Sequence, residues 1–234
     1  MKITFKHSRQ DTPSTYTFFF EPTRPVAYTA GQFIELTLPH DEPDDRGSKR
    51  WFTLSSSPKQ ELISITTKFA VTNGSTFKEA LRQLKPGTVL TISDPMGDFV
   101  LPKLLQTPLV FVAGGIGITP FLSMLQWLHD TNEVRPINLL HAVASEDDIA
   151  FQDVFDNARQ HVTTVVSQPT PAWGGERGHV TSEMILGLEK PTADTLVFVS
   201  GPEALVEKLT KGLVQSGLRG DQVVGDYFPG YSAE

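Results

Sequence analysis

The residues of this 234-residue chain best suited to chemistry are glycines rather than acids or nucleophiles. The stretch TPLVFVAGGIGITPFLSML, Thr107 to Leu125, runs from an apolar β-branched segment into Gly114, Gly115 and Gly117, then Ile118, Thr119 and Pro120, and on into a helical apolar pattern. Glycines let the backbone take left-handed dihedrals and let an anion approach without a Cβ in the way. The free amides and the dipole of a helix starting near Thr119 would then hold a phosphate. Pro120 stands where a dinucleotide fingerprint has its last glycine; in the first helical turn its missing N–H costs nothing. The same residues also suit a tight strand-to-helix turn whose glycines only permit close packing, and the loop alone leaves both readings open.

Other chemistries are poorly served. The chain has no cysteine, which excludes a disulfide framework, thiolate zinc, a chain-held iron-sulfur cluster and a cysteine nucleophile. The six histidines (His7, His40, His129, His141, His161, His179) lack metal-ligand helical spacing, so no metal is expected and each reads as a surface or satisfied core residue. Neither GxSxG nor GxxxxGK[ST] occurs. A net charge of -7 argues against nucleic-acid binding. MKITFKHSRQ carries no apolar signal core, and no run is long enough for a membrane span, so a cytoplasmic protein is expected.

The elements that must position the loop fall into two sets. Residues 1–103 contain short strand-like runs (KITFKH, STYTFFFE, QFIELTLP, RWFTLSSS, LISITTKF, TVLTIS, DFVL) and one helical segment, STFKEALRQL, which predicts an antiparallel barrel. The polar insert HDEPDDRGSK is expected to be a solvated loop. Residues 104–234 alternate apolar runs (PLVFVA, PINLLHAV, VTTVVS, TLVFVS, DQVVGDY) with helical segments (TPFLSMLQWLHD, DDIAFQDVFDNARQ, SEMILGL, PEALVEKLTKGLVQSG), which predicts a doubly wound parallel sheet. Charge divides the same way, +2 for the first part and -9 for the second.

In that order and spacing the motifs resemble the ferredoxin-NADP reductase superfamily, whose members are a flavin-binding antiparallel barrel followed by a pyridine-nucleotide domain. The run Arg50-Trp51-Phe52-Thr53-Leu54-Ser55 resembles the family's Arg-x-Tyr-Ser/Thr segment along the flavin. The resemblance implies Arg50 on the pyrophosphate, Phe52 against the isoalloxazine and Thr53 near its reactive nitrogen. Gly74-Ser75-Thr76-Phe77-Lys78 is similar to the turn whose amides cup the flavin pyrophosphate, and Thr66 and Lys68 on the preceding strand join the implied cofactor set. SDPMGDFVL resembles a Pro-x-Gly-x-Phe segment and reads as structural. AGGIGITP matches the family's Gly-Gly-x-Gly-x-x-Pro loop, so Pro120 belongs to the pattern. Ser200-Gly201-Pro202 stands where the family has Cys-Gly-Pro beside the nicotinamide, and GDYFPGY resembles the acidic-x-Phe ending, with Asp226 in the acidic place and Phe228 after it.

The resemblance implies an FAD-dependent oxidoreductase that takes electrons from NADH or NADPH, with Thr53, Ser200 and Asp226 as catalytic residues, and passes them to an acceptor. The charge division suggests a small acidic redox protein, a ferredoxin or flavodoxin, as that acceptor. A reductase or regulatory subunit of a larger redox complex, or a reductase of free flavin, are the alternatives. Family members preferring NADPH present an Arg after the second parallel strand; here Ala144 falls there, followed by Glu146, Asp147 and Asp148, which favours NADH. Ser145 and Arg177 are the groups able to answer a 2'-phosphate.

Overall fold

The computed structural model describes residues 1–41, 43–44, 47–70, 74–158, 161–188 and 191–228; the side chains of His161 and Phe228, part of the HDEPDDRGSK insert and residues 229–231 of GDYFPGY lie outside it. The first sheet contains β1 (Lys2–Gln10), β2 (Thr15–Pro22), β3 (Phe33–Thr37), β4 (Lys49–Thr53), β5 (Ile63–Lys68) and β6 (Val89–Ile92), with α1 (Thr76–Arg82) between the last two. Its order is β4-β3-β6-β1-β2-β5, all pairs antiparallel, and a bridge from Leu54 to Ile65 joins the two edges into a barrel. Alternating residues fill the interior, among them Ile3, Phe5, Phe18, Phe20, Ile34 and Leu36, closed at one end by Phe77 and Leu81 of α1.

The second sheet is parallel: β7 (Leu109–Gly114), β8 (Ile137–Val143), β9 (His161–Val166), β10 (Glu176–Arg177), β11 (Leu196–Pro202) and β12 (Val223–Phe228), in the order β10-β9-β8-β7-β11-β12. Helices α2 (Thr119–Thr131), α3 (Gln152–Asn157), α4 (Ser182–Leu188) and α5 (Glu203–Gln215) provide the crossovers. All six residues of β7 are buried, which is why LVFVAG is uniformly apolar instead of alternating. Two cores result, one on each face of the sheet. The chain leaves β7 in one direction and β11 in the other, so the topological switch lies between their carboxyl ends, where open α/β sheets bind ligands.

Two expected elements differ. DFVL forms no strand, because the ring of Phe99 turns into the second core, 5.7 Å from Phe121 and 5.1 Å from Phe198. A Cβ on Gly31, whose φ is +103°, would lie 2.1 Å from the Phe99 carbonyl oxygen, so this crossing requires glycine. The helix expected through DDIAFQDVFDNARQ is interrupted: a 3-10 turn covers Glu146–Asp148, and Phe151 takes φ +67° to bury its ring before α3 starts. Polar contacts join the barrel to α2, from the buried Ser123 hydroxyl to the Ser56 carbonyl (2.6 Å) and from Gln126 to the Ser55 carbonyl (2.7 Å).

Candidate functional site

The glycines of the turn differ in their surroundings. A Cβ on Gly117 would fall 2.2 Å from the Ser200 carbonyl oxygen and 2.7 Å from the Cα of Gly201; one on Gly114 would meet Leu205 at 2.3 Å. These two glycines allow the turn after β7 to press backbone to backbone on the end of β11. Gly115 differs: its φ is +50° and nothing lies within 4 Å of its Cβ direction, so its face is open to an approaching group. A 3-10 turn over Gly115–Ile118 runs directly into α2, with Thr119 and Pro120 buried at the junction. The helical amides thus begin nearer the strand than the Thr119 start read from the sequence.

His141 on β8 supports this turn. It is 2% exposed, and its Nε2 lies 3.3 Å from the Gly115 carbonyl, which only an N–H can satisfy, so Nε2 donates and Nδ1 is left as a buried acceptor with no protein partner. Burial pushes its pKa down to about 4. Beside it a small cavity of about 30 Å³ reaches the barrel, where the Lys68 ammonium pairs with Asp148 at 3.1 Å. His141 was legible only as a core histidine; its position one strand from the glycine loop was the missing signal.

On the barrel, β4 separates the implied flavin residues by face. The Arg50 guanidinium sits over the Phe77 ring, 5.0 Å from its centroid, and bonds Asp44 at 2.5 Å together with the carbonyls of Gly47 and Lys49. Phe52 points the same way and is 8% exposed, its ring 6.0 Å from Phe77, whereas Trp51 points outward at 63% exposed and packs against Phe33. The exposed aromatic surface of this strand is therefore that of Trp51. Thr53, Leu54 and Ser55 are buried, and the Thr66 hydroxyl is bonded between Thr17 (2.8 Å) and Ser55 (2.9 Å) in a buried hydroxyl chain. Gly74 is exposed, and Ser75 caps α1 by accepting the Lys78 amide at 3.2 Å, which occupies one of the implied pyrophosphate donors. The Thr76 hydroxyl accepts from the Asp44 amide and donates to Nε2 of His40, whose Nδ1 donates to the Leu38 carbonyl, and the Lys78 ammonium donates to the Lys68 carbonyl.

The two sheets meet at a cleft of about 70 Å³ lined by Phe33, Gly97 and Asp98 from the barrel half and by Gly225 and Asp226 from β12. Thr53 is the register partner of Phe33, so β4 runs from Arg50 toward this cleft over about 10 Å at the usual rise per residue. Ser200 is the register partner of Asp226 across β11 and β12; it is fully buried, and its hydroxyl has no protein partner. Gly201 packs on Gly114 with φ +155°, and Pro202 leads into α5. Burial, followed by the charge of Asp98, pushes the Asp226 carboxyl up to about 6. The backbone of Phe228 ends β12.

The acidic rim after β8 is more occupied than its sequence suggests. Glu146 accepts from the amide and hydroxyl of Thr170 (2.8 and 2.9 Å), Asp148 faces Lys68 and Ser145, and of the three only Asp147 is exposed. Arg177 bonds the carbonyls of Pro171 and Trp173 within its own loop, on the edge strand beyond β9. No helix among the described residues is long and apolar enough to cross a membrane.

Comparison with known proteins agrees with this architecture. Residues 111–211 match the family described as Oxidoreductase NAD-binding domain. The chain is 27% identical over 209 residues to a flavohemoprotein of Xylella fastidiosa, covering 87% of this chain and 51% of that protein. It is 30% identical over 203 residues to a glycine betaine monooxygenase reductase subunit of Pseudomonas aeruginosa, covering 82% and 54%. The chain thus spans about half the length of these curated relatives. The flavohem-like FAD/NAD binding domain of nitric oxide dioxygenase from Vibrio cholerae superposes with a TM-score of 0.84 at 18% identity over 97% of this chain and 98% of that one. With the barrel, the switch-point glycine turn and the Ser-Gly-Pro corner in this order, the chain has the fold of FAD/NAD-binding reductase domains, shared also with a ferredoxin NADP+ reductase from Neisseria gonorrhoeae (TM-score 0.78, 18% identity, 97% of this chain and 98% of that one), and its residues 111–211 match the oxidoreductase NAD-binding family.

Proposed function

We propose that the chain is the reductase unit of a redox system, binding FAD along the barrel and NAD(P)H at the switch point, and passing electrons to an acceptor. The observation carrying this reading is the cleft where the end of β4 meets the carboxyl end of the parallel sheet, with the unpartnered Ser200 hydroxyl and the Asp226 carboxyl on adjacent strands. A buried hydroxyl without a partner suits a ligand amide, because leaving it unsatisfied costs stability. A flavin bound there would supply the transfer of two electrons as hydride from the nicotinamide and their release one at a time.

The chain's own residues would then position and exclude. Gly115 admits a pyrophosphate, and the amides after it donate. Arg50 offers the flavin pyrophosphate a charge-assisted contact in exchange for Asp44. Thr53 and Ser200 hold polar atoms toward the reacting rings, and Asp226, when ionised, offsets the positive charge that appears on the nicotinamide. The barrel residues Ser55 and Ser56, tied to α2, keep the two halves at fixed spacing and shut out water. The assigned domains are residues 1–103 for flavin and 104–234 for nucleotide.

For the acceptor, the +2 charge of the barrel half suits a small acidic redox protein such as a ferredoxin or flavodoxin. A second reading, a reductase module serving a larger assembly, is favoured by relatives about twice as long that include a reductase subunit. The test is direct. The purified protein should carry close to one FAD per chain, and anaerobic NADH should bleach its yellow colour; colourless protein that cannot be reconstituted with FAD, or bound FMN, overturns the reading. Reduction of a candidate ferredoxin that is insensitive to added salt would count against the acidic acceptor.

A further inference from the structure

Asp98 lies in a segment that reads from sequence as purely structural, yet it shares the inter-sheet cleft with Asp226. The crossing that brings it there is fixed by glycines on either side: Gly97 has φ +101°, and a Cβ on it would strike the Phe33 ring at 2.9 Å, while Gly31 admits the Phe99 carbonyl. The anchoring of Phe99 in the second core holds the position of Asp98 against β12. We propose that Asp98 and Asp226 face each other as an acid pair across the junction of the two halves, with Asp98 a positioning residue whose charge adds to burial in disfavouring the ionised Asp226 carboxyl.

The surroundings leave the pair to itself. Among the described residues no ion pair reaches either carboxylate. On the neighbouring strand β11 no side chain titrates, and on α5, which also packs on β12, Glu203, Glu207, Lys208 and Lys211 are all exposed to solvent. Asp98 is also exposed, but it alone of these charged groups lines the cleft with Asp226, from the opposite wall. Burial first, and the like charge of Asp98 second, disfavour the ionised form of Asp226, so its proton leaves late. The consequence is a site that loses its negative charge as pH falls through about 6, next to the Ser200 hydroxyl. Asp98 thus raises the acid limit of the reaction beyond what burial alone sets, without touching the reacting rings. This consequence rests on the reading of the cleft as the nicotinamide site; the pairing itself does not.

The experiment follows the carboxyl carbons of flavin-loaded protein labelled with ¹³C-aspartate through a pH titration, alongside the pH dependence of flavin reduction by NADH. One carboxyl should titrate near pH 6 and be absent in Asp226→Asn. Asp98→Asn should move that midpoint down by about half a unit or more and carry the acid limb of reduction with it, while Asp98→Glu restores the parent profile. Asp98→Ser provides the same readout if the Asn variant does not accumulate. An unchanged midpoint in the charge-removing variants overturns the pair. A moved midpoint with an unmoved reduction profile leaves the pair standing and refutes the placement of Asp226 beside the nicotinamide.

Discussion

The two helix starts that follow glycine-containing turns, before α1 and before α2, are built by opposite means. The turn before α2 owes its shape to backbone pressed against backbone, with Gly114 and Gly117 on β11 and one buried imidazole beneath Gly115. The turn before α1 owes its shape to side chains: the Ser75 cap, the Arg50 guanidinium over Phe77, and Thr76 tied to His40 and Asp44. The first kind tolerates no added atom at Gly114 or Gly117 and uses one side chain, His141, whereas the second tolerates reshaping but depends on each of several groups. Substitutions should therefore fail differently at the two ends.

The largest effect is expected from Gly117→Ala. Its Cβ would overlap the backbone of Ser200 and Gly201, so the sheet must open, at a cost of about 1–3 kcal/mol or more. The melting temperature should drop and nucleotide binding should be lost with it. Gly115→Ala, with open space around it, meets only the left-handed penalty of about 1–2 kcal/mol and should keep the fold. Equal stability losses from the two would erase the distinction drawn here.

On the barrel side, Arg50→Ala should leave the fold intact and weaken FAD retention by about 1.5–3 kcal/mol, the worth of a contact to a charged group. Asp44→Asn should remove the charged partner of Arg50, leaving its carbonyl contacts, and leave FAD retention unchanged or improved. Full flavin occupancy in Arg50→Ala, measured after gel filtration, would mean that the amides alone suffice. Ser75→Ala should cost about 1 kcal/mol, the usual value of a helix cap.

The same contrast explains what was legible in the sequence. Apart from the two-residue edge strand β10, which the sequence did not announce, the strands of both sheets, α2 and α5 announced themselves by period and by the glycine-proline turn. DFVL was misleading since the burial of Phe99 is decided by Phe121 and Phe198, both distant in the chain. The partners of Arg50, the hydroxyl chain through Thr66 and the meeting of Asp98 with Asp226 depend on which strands the topology makes adjacent, and residue types alone do not encode that. Likewise the glycine run was readable as a special turn, but not which glycine faces the backbone and which faces open space.

His141 sharpens the comparison through pH. Its folded pKa of about 4 lies below the ordinary imidazole value, so between those limits the unfolded chain binds more protons than the native one. Its contribution to stability is thus complete above the ordinary value and is lost as pH falls toward 4. Asp226, raised to about 6, works in reverse: its native carboxyl holds its proton longer, and stability declines as pH rises from the ordinary carboxylate range through 6. The two slopes oppose each other in the parent. His141→Gln, which retains a donor for Gly115, should flatten the acid loss, and Asp226→Asn should expose it; denaturant titrations from pH 4 to 7 with no slope change in either variant would discount both groups.

The smallest effect concerns the choice of coenzyme, where the nucleotide half again relies on shape more than on side chains. An NADPH site needs a cation at the 2'-phosphate, and the place after β8 holds Ala144 and Ser145, with Asp147 exposed and Glu146 engaged by Thr170. Arg177 is bound to carbonyls of its own loop and sits on the edge strand, so recruiting it would break those bonds. A doubly charged phosphate near these carboxylates is disfavoured, whereas a ribose hydroxyl can be accepted. The expected outcome is a modest preference for NADH in kcat/KM with an artificial acceptor, the ratio that measures discrimination directly. Replacing Asp147 with Asn should narrow that preference slightly by removing the exposed charge. A preference for NADPH of about tenfold, or 1.4 kcal/mol, would refute the assignment and point to Arg177, whose replacement by Ala should then abolish it.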